Sequence, residues 1–524
     1  RSRGLGDVYK RQIMNNVLEY LEASAAAFPG KTAVKDDKTS CTYSELLTDA
    51  KKAGILLAKQ TDIKKPIAVF MDKGVITLKA FMGILYAGCF YTLVDPSFPA
   101  GRIRQLLDTL NTDVIITEEA HAEKLHNAGY NKTIIYAEEL FRSEVDETAD
   151  TMLMQLRHKL TDTDPVYCNF TSGSTGIPKG VLICHRSVID FIEQFTQTFG
   201  ITCDDVIGNQ APFDFDVSVK DIYSTLKLGA TLIIIPRSYF MFPNAVVDML
   251  DDNKVTTLIW AVSALCLLNR LHGLKYKVPS EINKIMFSGE MMPIKQLNIW
   301  RSYYPDAMFV NLYGPTEITC NCTYYIIDKE FSENEKLPMG QAFTNERVFL
   351  LDADNNEIPY TKSGVTGELC VAGTSLALGY YNASAATKKA FTPNPLQPSW
   401  PETIYRTGDL AYYGADGMLY FAGRMDFQIK HMGHRIELEE IESVLDSVHT
   451  VEHACCFFDE KKGKIVAFYV GGKDKKQILN DMKQRIPEYM LPNILRCVES
   501  LPLTKNGKTD RNLIKELYLN ETRK

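Results

Sequence analysis

The sequence predicts an α/β protein: a large N-terminal domain of α/β subdomains with parallel sheets packed by helices, then a small α+β lid domain. Three observations carry this. Apolar segments of strand length alternate with helical segments along most of the chain. With 524 residues the chain is too long for one hydrophobic core. Near residue 424 the texture changes, and a stretch of domain size with its own pattern begins.

After Met14, apolar positions in NVLEYLEASAAAF recur at helical spacing until Pro29-Gly30 stops the run. KPIAVFM then reads as a strand, ITLKAFMGILYAG as a helix and CFYTLVD as a strand. Arg102 to Asn111 reads as a helix and TDVIIT as a strand, and ATLIIIP and KVTTLIW return to the same beat. Such alternation implies parallel sheets covered by helices. No fixed short repeat marks a solenoid. Past residue 424 come a charged amphipathic helix (IELEEIESVLDSV), strands ACCFFD and KIVAFYV, a helix around Gln477 to Arg485, and a polar tail. The large domain is assigned to residues 14–425 and the lid to 426–524, with Asp426 at the junction. Residues 1–13 are basic, lack the apolar centre of a signal peptide and differ in character from the rest of the chain, so they are set aside as a non-native N-terminal scar.

Composition narrows the partners. A net charge of -7 argues against a nucleic-acid surface. The 12 cysteines are irregularly spaced with no pair of CxxC motifs, which predicts reduced thiols and a cytoplasmic location. No apolar run reaches the roughly 18 residues of a membrane helix. The best candidate, Phe81 to Val94, contains two glycines and runs into Asp95-Pro96, so no membrane insertion is expected. The chain is expected to act as a monomer.

The strongest local signal is the run from Thr171 through Ser172, Gly173, Ser174, Thr175, Gly176, Ile177, Pro178 and Lys179 to Gly180. Glycines free backbone N–H groups to turn toward an anion, and hydroxyls and a lysine add donors and a positive charge. Strand-like VYCNF lies before it and GVLIC after it, which argues against a plain linker. It is not a Walker A motif, since no GxxxxGK[ST] is present.

Four further motifs accompany the loop: Asn311-Leu312-Tyr313-Gly314-Pro315-Thr316-Glu317, Tyr405-Arg406-Thr407-Gly408-Asp409, Gly423-Arg424-Met425-Asp426 and Asn506-Gly507-Lys508. In this order and spacing they resemble the adenylate-forming superfamily: acyl-CoA synthetases, luciferases, peptide-synthetase adenylation domains and D-alanine:carrier-protein ligases. The resemblance runs from about Asn16 to the C-terminus.

It implies ATP as co-substrate, Mg2+ as metal, and a site assembled from these motifs. Thr171, Ser172, Gly173, Ser174, Thr175, Gly176 and Lys179 would hold the β and γ phosphates. Thr316 would touch phosphate and Glu317 would bind Mg2+, an ion satisfied by few carboxylates. Asn311, Tyr313, Gly314 and Phe421 fall with the adenosine, and Asp409 matches the carboxylate that accepts the ribose hydroxyls. Arg424 would reach the ribose or phosphate and brace the hinge at Asp426. Lys508, in what alone reads as a solvated turn, matches the lysine that bridges carboxylate and phosphate oxygens in the transition state.

The stretch Gln210 to Tyr223, with Phe213-Asp214-Phe215-Asp216-Val217-Ser218-Val219, bears on the acid. The resemblance makes Asp216 the acceptor of a substrate ammonium, which implies an amino acid. Val217, Lys220, Ile259, Met286, Ser288, Gly289, Leu312, Cys320 and Asn321 would line the side-chain pocket. NQAPFDFDVSVKDIY, MFSGEMMP and DFQIKHMGHRIELEEIE are similar in style to D-alanine:carrier-protein ligases. This chain departs from them at Ser288, at Lys220 and at Trp260 to Ala264, which puts D-alanine itself in doubt. Since the sequence ends soon after Lys508, the expected acceptor is the phosphopantetheine thiol of a separate carrier protein. The competing expectation, an acyl- or aryl-CoA synthetase, shares the nucleotide residues but has no use for Asp216.

Overall fold

The computed structural model describes residues 14–173, 176–472, 474–503 and 509–521. Two sheets in the large domain are parallel at their centres. In the first, Phe90–Leu93, Pro66–Phe70, Val114–Thr117 and Thr133–Tyr136 run side by side, and Pro165–Thr171 pairs with Lys179–Cys184 as a hairpin at the other side. In the second, Met308–Tyr313, Lys284–Ser288, Thr257–Ala261, Val206–Asn209, Thr231–Ile234 and Thr32–Lys35 are parallel neighbours. The sequence shows why: Pro66–Phe70, Phe90–Leu93, Val114–Thr117 and Thr257–Ala261 are buried at every position, as continuous apolar strands between helical layers must be.

Helices fill the faces. The helix Tyr43–Leu57 starts with a reciprocal cap between Thr42 and Glu45. It packs so tightly on Val75–Tyr86 that a Cβ on Gly83 would lie 2.4 Å from the Ala53 Cβ, which requires glycine there. All 12 cysteines are free. No helix among the described residues is long and apolar enough to cross a membrane.

Two features depart from the pattern read in the sequence. Residues 346–424 form a six-stranded antiparallel sheet, in which Thr403–Tyr413 pairs with Thr366–Gly373, Phe391–Pro393 and Leu419–Arg424. Some of its strands are only two or three residues long and half exposed, so they leave no strand-length apolar run to find. The C-terminal stretch read as a polar tail is instead a helix, Arg511–Glu521. Ile514 and Tyr518, one turn apart, are buried with Cys455, Phe457 and Val466.

Past Asp426 the strands pair only with one another. Gln428–His431 and His434–Glu437 form a hairpin, and Val451–Asp459, Lys464–Gly471 and Ile494–Cys497 form a three-stranded sheet. Ile436, Ile441, Leu445, Ala467, Tyr469 and Met482 belong to a core built within residues 436–495.

One buried histidine ties the N-terminal helix to the rest of the large domain. His185 is 2% exposed, and its Nδ1 accepts the Val17 N–H at 3.2 Å. Burial pushes the imidazole down to about 4, with Asp164 opposing. An unfolded histidine titrates near about 6.5, so between these values the unfolded chain binds more protons than the folded one. Stability therefore falls as pH drops through that window. Urea unfolding is expected to show a loss of about 2 kcal/mol from this group between pH 7.5 and pH 5. The same series on His185→Gln should lack that component.

Candidate active site

The parallel strands of the second sheet end together, and crevices at such carboxyl ends are the usual ligand sites of open α/β sheets. Ala261 pairs with Ser288 and Phe287 with Asn311, so their loops open on one cleft. The helix Val217–Leu228 begins at the same place, with Asp216 at its N-terminus.

Two adjoining cavities occupy the cleft and share Phe215, Asp216, Thr316 and Arg435. Thr171 and Ser172 open on one cavity. Val217, Ser288, Gly289, Gly314, Cys320, Asp409 and Arg424 open on the other. Much of the set expected from sequence is thus brought together. Ile259, Met286 and Leu312 are not on the walls of these cavities. They lie buried in the apolar core behind the cavities; Met286 shares its strand face with the cavity residue Ser288 and lies two residues further from the carboxyl end. Lys220 and Asn321 are also buried, and the Lys220 ammonium donates to Asn321 Oδ1 at 2.6 Å. Ser174, Thr175 and Lys508 lie outside the described residues.

The turn after Tyr313 has an unusual backbone. Thr319 and Cys320 both adopt positive φ, 50° and 78°. A Cβ on Gly314 would sit 2.4 Å from the Asn321 Cα. Two consecutive left-handed non-glycine residues are costly, and such strain concentrates at functional sites. The turn is held by Thr319 Oγ1 donating to the Ser375 carbonyl at 2.7 Å, and by Cys320 Sγ donating to the Asp216 carbonyl at 3.1 Å.

Charged groups are paired across the cleft. Tyr313 OH donates to Asp409 Oδ2, and Arg424 Nη1 donates to Asp409 Oδ1 at 2.7 Å. Arg424 also grips Asp426 with two bonds of 2.8 and 2.6 Å. Asn311 donates to the Pro338 carbonyl at 2.7 Å, Phe421 packs against the apolar cluster that contains Tyr313, and Lys179 lies over the Tyr380 ring at 5.6 Å. Glu317 is fully buried, and it accepts from Tyr380 OH and from Arg435 Nη1, each at 2.7 Å. Burial alone would raise its pKa, but Arg435 and Tyr380 hold the carboxyl below its ordinary value. Asp216 has no such cation within 4.0 Å among the described residues. Burial pushes its carboxyl up, against the opposing pull of Lys220 and Thr316.

The sequence pattern gave no role to the lid hairpin, which supplies Gln428, Lys430, Gly433 and Arg435 to the cavity. Gly433 N–H donates to Glu290 at 2.7 Å, and Glu437 N–H donates to Ser172 Oγ at 3.1 Å. Lys430 lies 5.3 Å over the Tyr313 ring. Behind the hairpin Arg102 and Glu440, both almost fully buried, are paired at 2.5 Å, and Gly173 N–H donates to Glu440 at 3.2 Å. The available signal was two cations flanking a glycine just before a helix with buried acids, in KHMGHRIELEE.

Comparison with known proteins points the same way. The family model described as AMP-binding enzyme matches residues 21–381, and the one described as AMP-binding enzyme C-terminal domain matches residues 440–508. Tyrocidine synthase 3 of Brevibacillus parabrevis is 32% identical over 504 residues, which is 95% of this chain and 8% of that protein. The chain thus spans a small part of that relative. Among solved structures, the Vibrio cholerae adenylation domain AlmE in complex with glycyl-adenosine-5'-phosphate superposes with a TM-score of 0.82 at 22% identity, covering 97% of this chain and 99% of that one. An o-succinylbenzoate CoA synthetase from Bacillus subtilis gives a TM-score of 0.81 at 20% identity, covering 96% and 98%. Both likenesses establish the fold.

The Glu317–Arg435 pair can be tested by a double-mutant cycle. Arg435→Met should leave a buried carboxylate without its cation and lower stability in urea unfolding. Glu317→Gln in the same chain should recover part of the loss, giving a coupling of about 1–3 kcal/mol. Additive effects would show that the two side chains do not depend on one another.

Proposed function

Because this chain belongs to the AMP-binding enzyme family, we propose that it activates the carboxylate of an amino acid with ATP and hands the aminoacyl group to a carrier-protein thiol. A substrate carboxylate oxygen bonds to the α-phosphorus of ATP, the bond to the bridging oxygen breaks, and pyrophosphate leaves with that electron pair. The phosphopantetheine thiolate then attacks the acyl carbon and AMP departs. Two anions must meet in the first step, so the protein's task is positioning and charge neutralisation.

The observation that carries the amino-acid assignment is Asp216. It is 5% exposed, it opens on both cavities, and no cation pairs with it among the described residues. An isolated buried carboxylate is unfavourable until a cation meets it, and a substrate ammonium would supply one. Asp409 already accepts a hydroxyl from Tyr313, which fits it to accept ribose hydroxyls. Thr171, Ser172, Gly173, Gly176 and Lys179 would face phosphate, joined by Ser174 and Thr175.

Glu317 is suited to Mg2+ once Arg435 withdraws, because both of its oxygens are otherwise engaged. The ion would shield the phosphate charge during the first step. An arrangement with Arg435 on Glu317 would then suit thioester formation. Rotation about Asp426 would release Glu317 for the first step and bring Lys508 to the site. The Arg424–Asp426 pair lies at that pivot.

The test is pyrophosphate exchange with amino acids and with acids lacking the amine. Asp216→Ala should lower exchange with amino acids by at least about a hundredfold, since removing one partner of a buried charge pair typically costs about 3–5 kcal/mol. Amine-less acids should lose far less, and ATP binding should be nearly unchanged. An unchanged ratio between the two substrate kinds would reject the ammonium assignment and favour an acyl- or aryl-CoA synthetase.

A further inference from the structure

Among the described residues, Lys220 is a buried cation with no anion. Its side chain is inaccessible to solvent, and its ammonium donates to Asn321 Oδ1 at 2.6 Å and Ser288 Oγ at 3.4 Å. An ammonium has three N–H bonds, so two neutral acceptors do not complete it. No carboxylate lies within 4.0 Å of it among the described residues. Asp221, the next residue, turns its carboxylate to Asn209 Nδ2 at 2.6 Å instead.

Lys220 stands one helical turn after Asp216, on the same face of the helix Val217–Leu228. The carboxylate and the ammonium are therefore close enough to have paired, but the ammonium is drawn off by Asn321 and Ser288. The two opposite charges attract one another but form no ion pair within 4.0 Å. Asp216, Ser288 and Cys320 lie on the cavity wall, and Lys220 sits directly behind Ser288. Leaving two buried charges only partly compensated is unfavourable for folding, and one molecule with a matching cation and anion would satisfy both.

We propose that Lys220 reads the substrate side chain, and that the amino acid activated here carries a second carboxylate on a short side chain. This rests on the amino-acid adenylation reading. The α-ammonium meets Asp216, the α-carboxylate is presented to the nucleotide, and the side-chain carboxylate meets the Lys220 ammonium beside Ser288 and Asn321. Burial lowers the affinity of Lys220 for its proton. An arriving carboxylate favours the charged form and draws the two groups together.

Pyrophosphate exchange on the full chain tests this, with glutamate, aspartate, glutamine, asparagine, alanine and amine-less glutarate as probes. The acidic amino acids should give the highest kcat/KM. Lys220→Met should cut exchange with them at least about a hundredfold while the amides change less than about tenfold, so that the ratio of acid to amide collapses. Lys220→Arg keeps the charge and should keep the preference for acids, and unchanged ATP binding in both variants controls for folding. A wild-type preference for amide or apolar side chains, or an acid-to-amide ratio unmoved by Lys220→Met, overturns the assignment of Lys220 and leaves amino-acid adenylation standing. Exchange with glutarate but with no amino acid would overturn the adenylation reading itself.

Discussion

The arrangement of the site depends on one buried carboxylate. Glu317 has no contact with solvent, and an anion so placed persists only if donors surround it. Two of its donors come from different parts of the chain. Tyr380 sits on a short edge strand paired with Lys179–Cys184, the strand just after the phosphate loop. Arg435 comes from the lid hairpin. The end of the strand Met308–Tyr313, the base of the phosphate loop and the lid therefore meet at one charged point.

This explains why the lid docks as it does. Its apolar residues close on themselves, with Ile436, Leu445, Ala467 and Tyr469 in a core of their own. The groups that face the large domain are mostly polar: Arg435 to Glu317, Gly433 to Glu290, Glu437 to Ser172, and Arg102 to Glu440. A contact built largely from polar hydrogen bonds would expose little apolar surface on opening, and each group could be met by water or by a phosphate in its place. An apolar interface of the same extent would bind the lid permanently.

The sequence disclosed the parts whose signals are local. Central parallel strands such as Pro66–Phe70 and Thr257–Ala261 are continuous apolar runs because both faces are covered. Thr171, Ser172, Asp216, Thr316 and Asp409 were recognisable because each lies in a compact motif, and the fold brings them to one cleft. The antiparallel sheet of residues 346–424 escaped notice because its pairing is set across hairpins rather than by periodicity. Arg435 escaped because its burial is decided by Glu317, more than a hundred residues earlier. Ile259, Met286 and Leu312 were assigned to the pocket by position in a motif, and the fold sets them in the core behind it, Met286 on the strand face it shares with the cavity residue Ser288.

The helix Val217–Leu228 shows the same logic at shorter range. A fold selected only for stability would not place an unpaired carboxylate and an unpaired ammonium one turn apart in a buried helix, since apolar residues of similar volume are often the more stable choice. The helix N-terminus partly favours the Asp216 carboxylate through its dipole. Burial disfavours the Lys220 ammonium, and Asp216 and Asp221 oppose this only from beyond 4.0 Å; its acceptors among the described residues are an amide and a hydroxyl. The strained backbone at Thr319 and Cys320 places that amide, Asn321, just behind the cavity, where it draws the ammonium away from Asp216. Local rules are thus broken in adjoining elements, and the violations converge on one cavity. Where propensity, strain and buried charge all run against stability at a single place, the compensating interaction is one the folded chain alone does not contain.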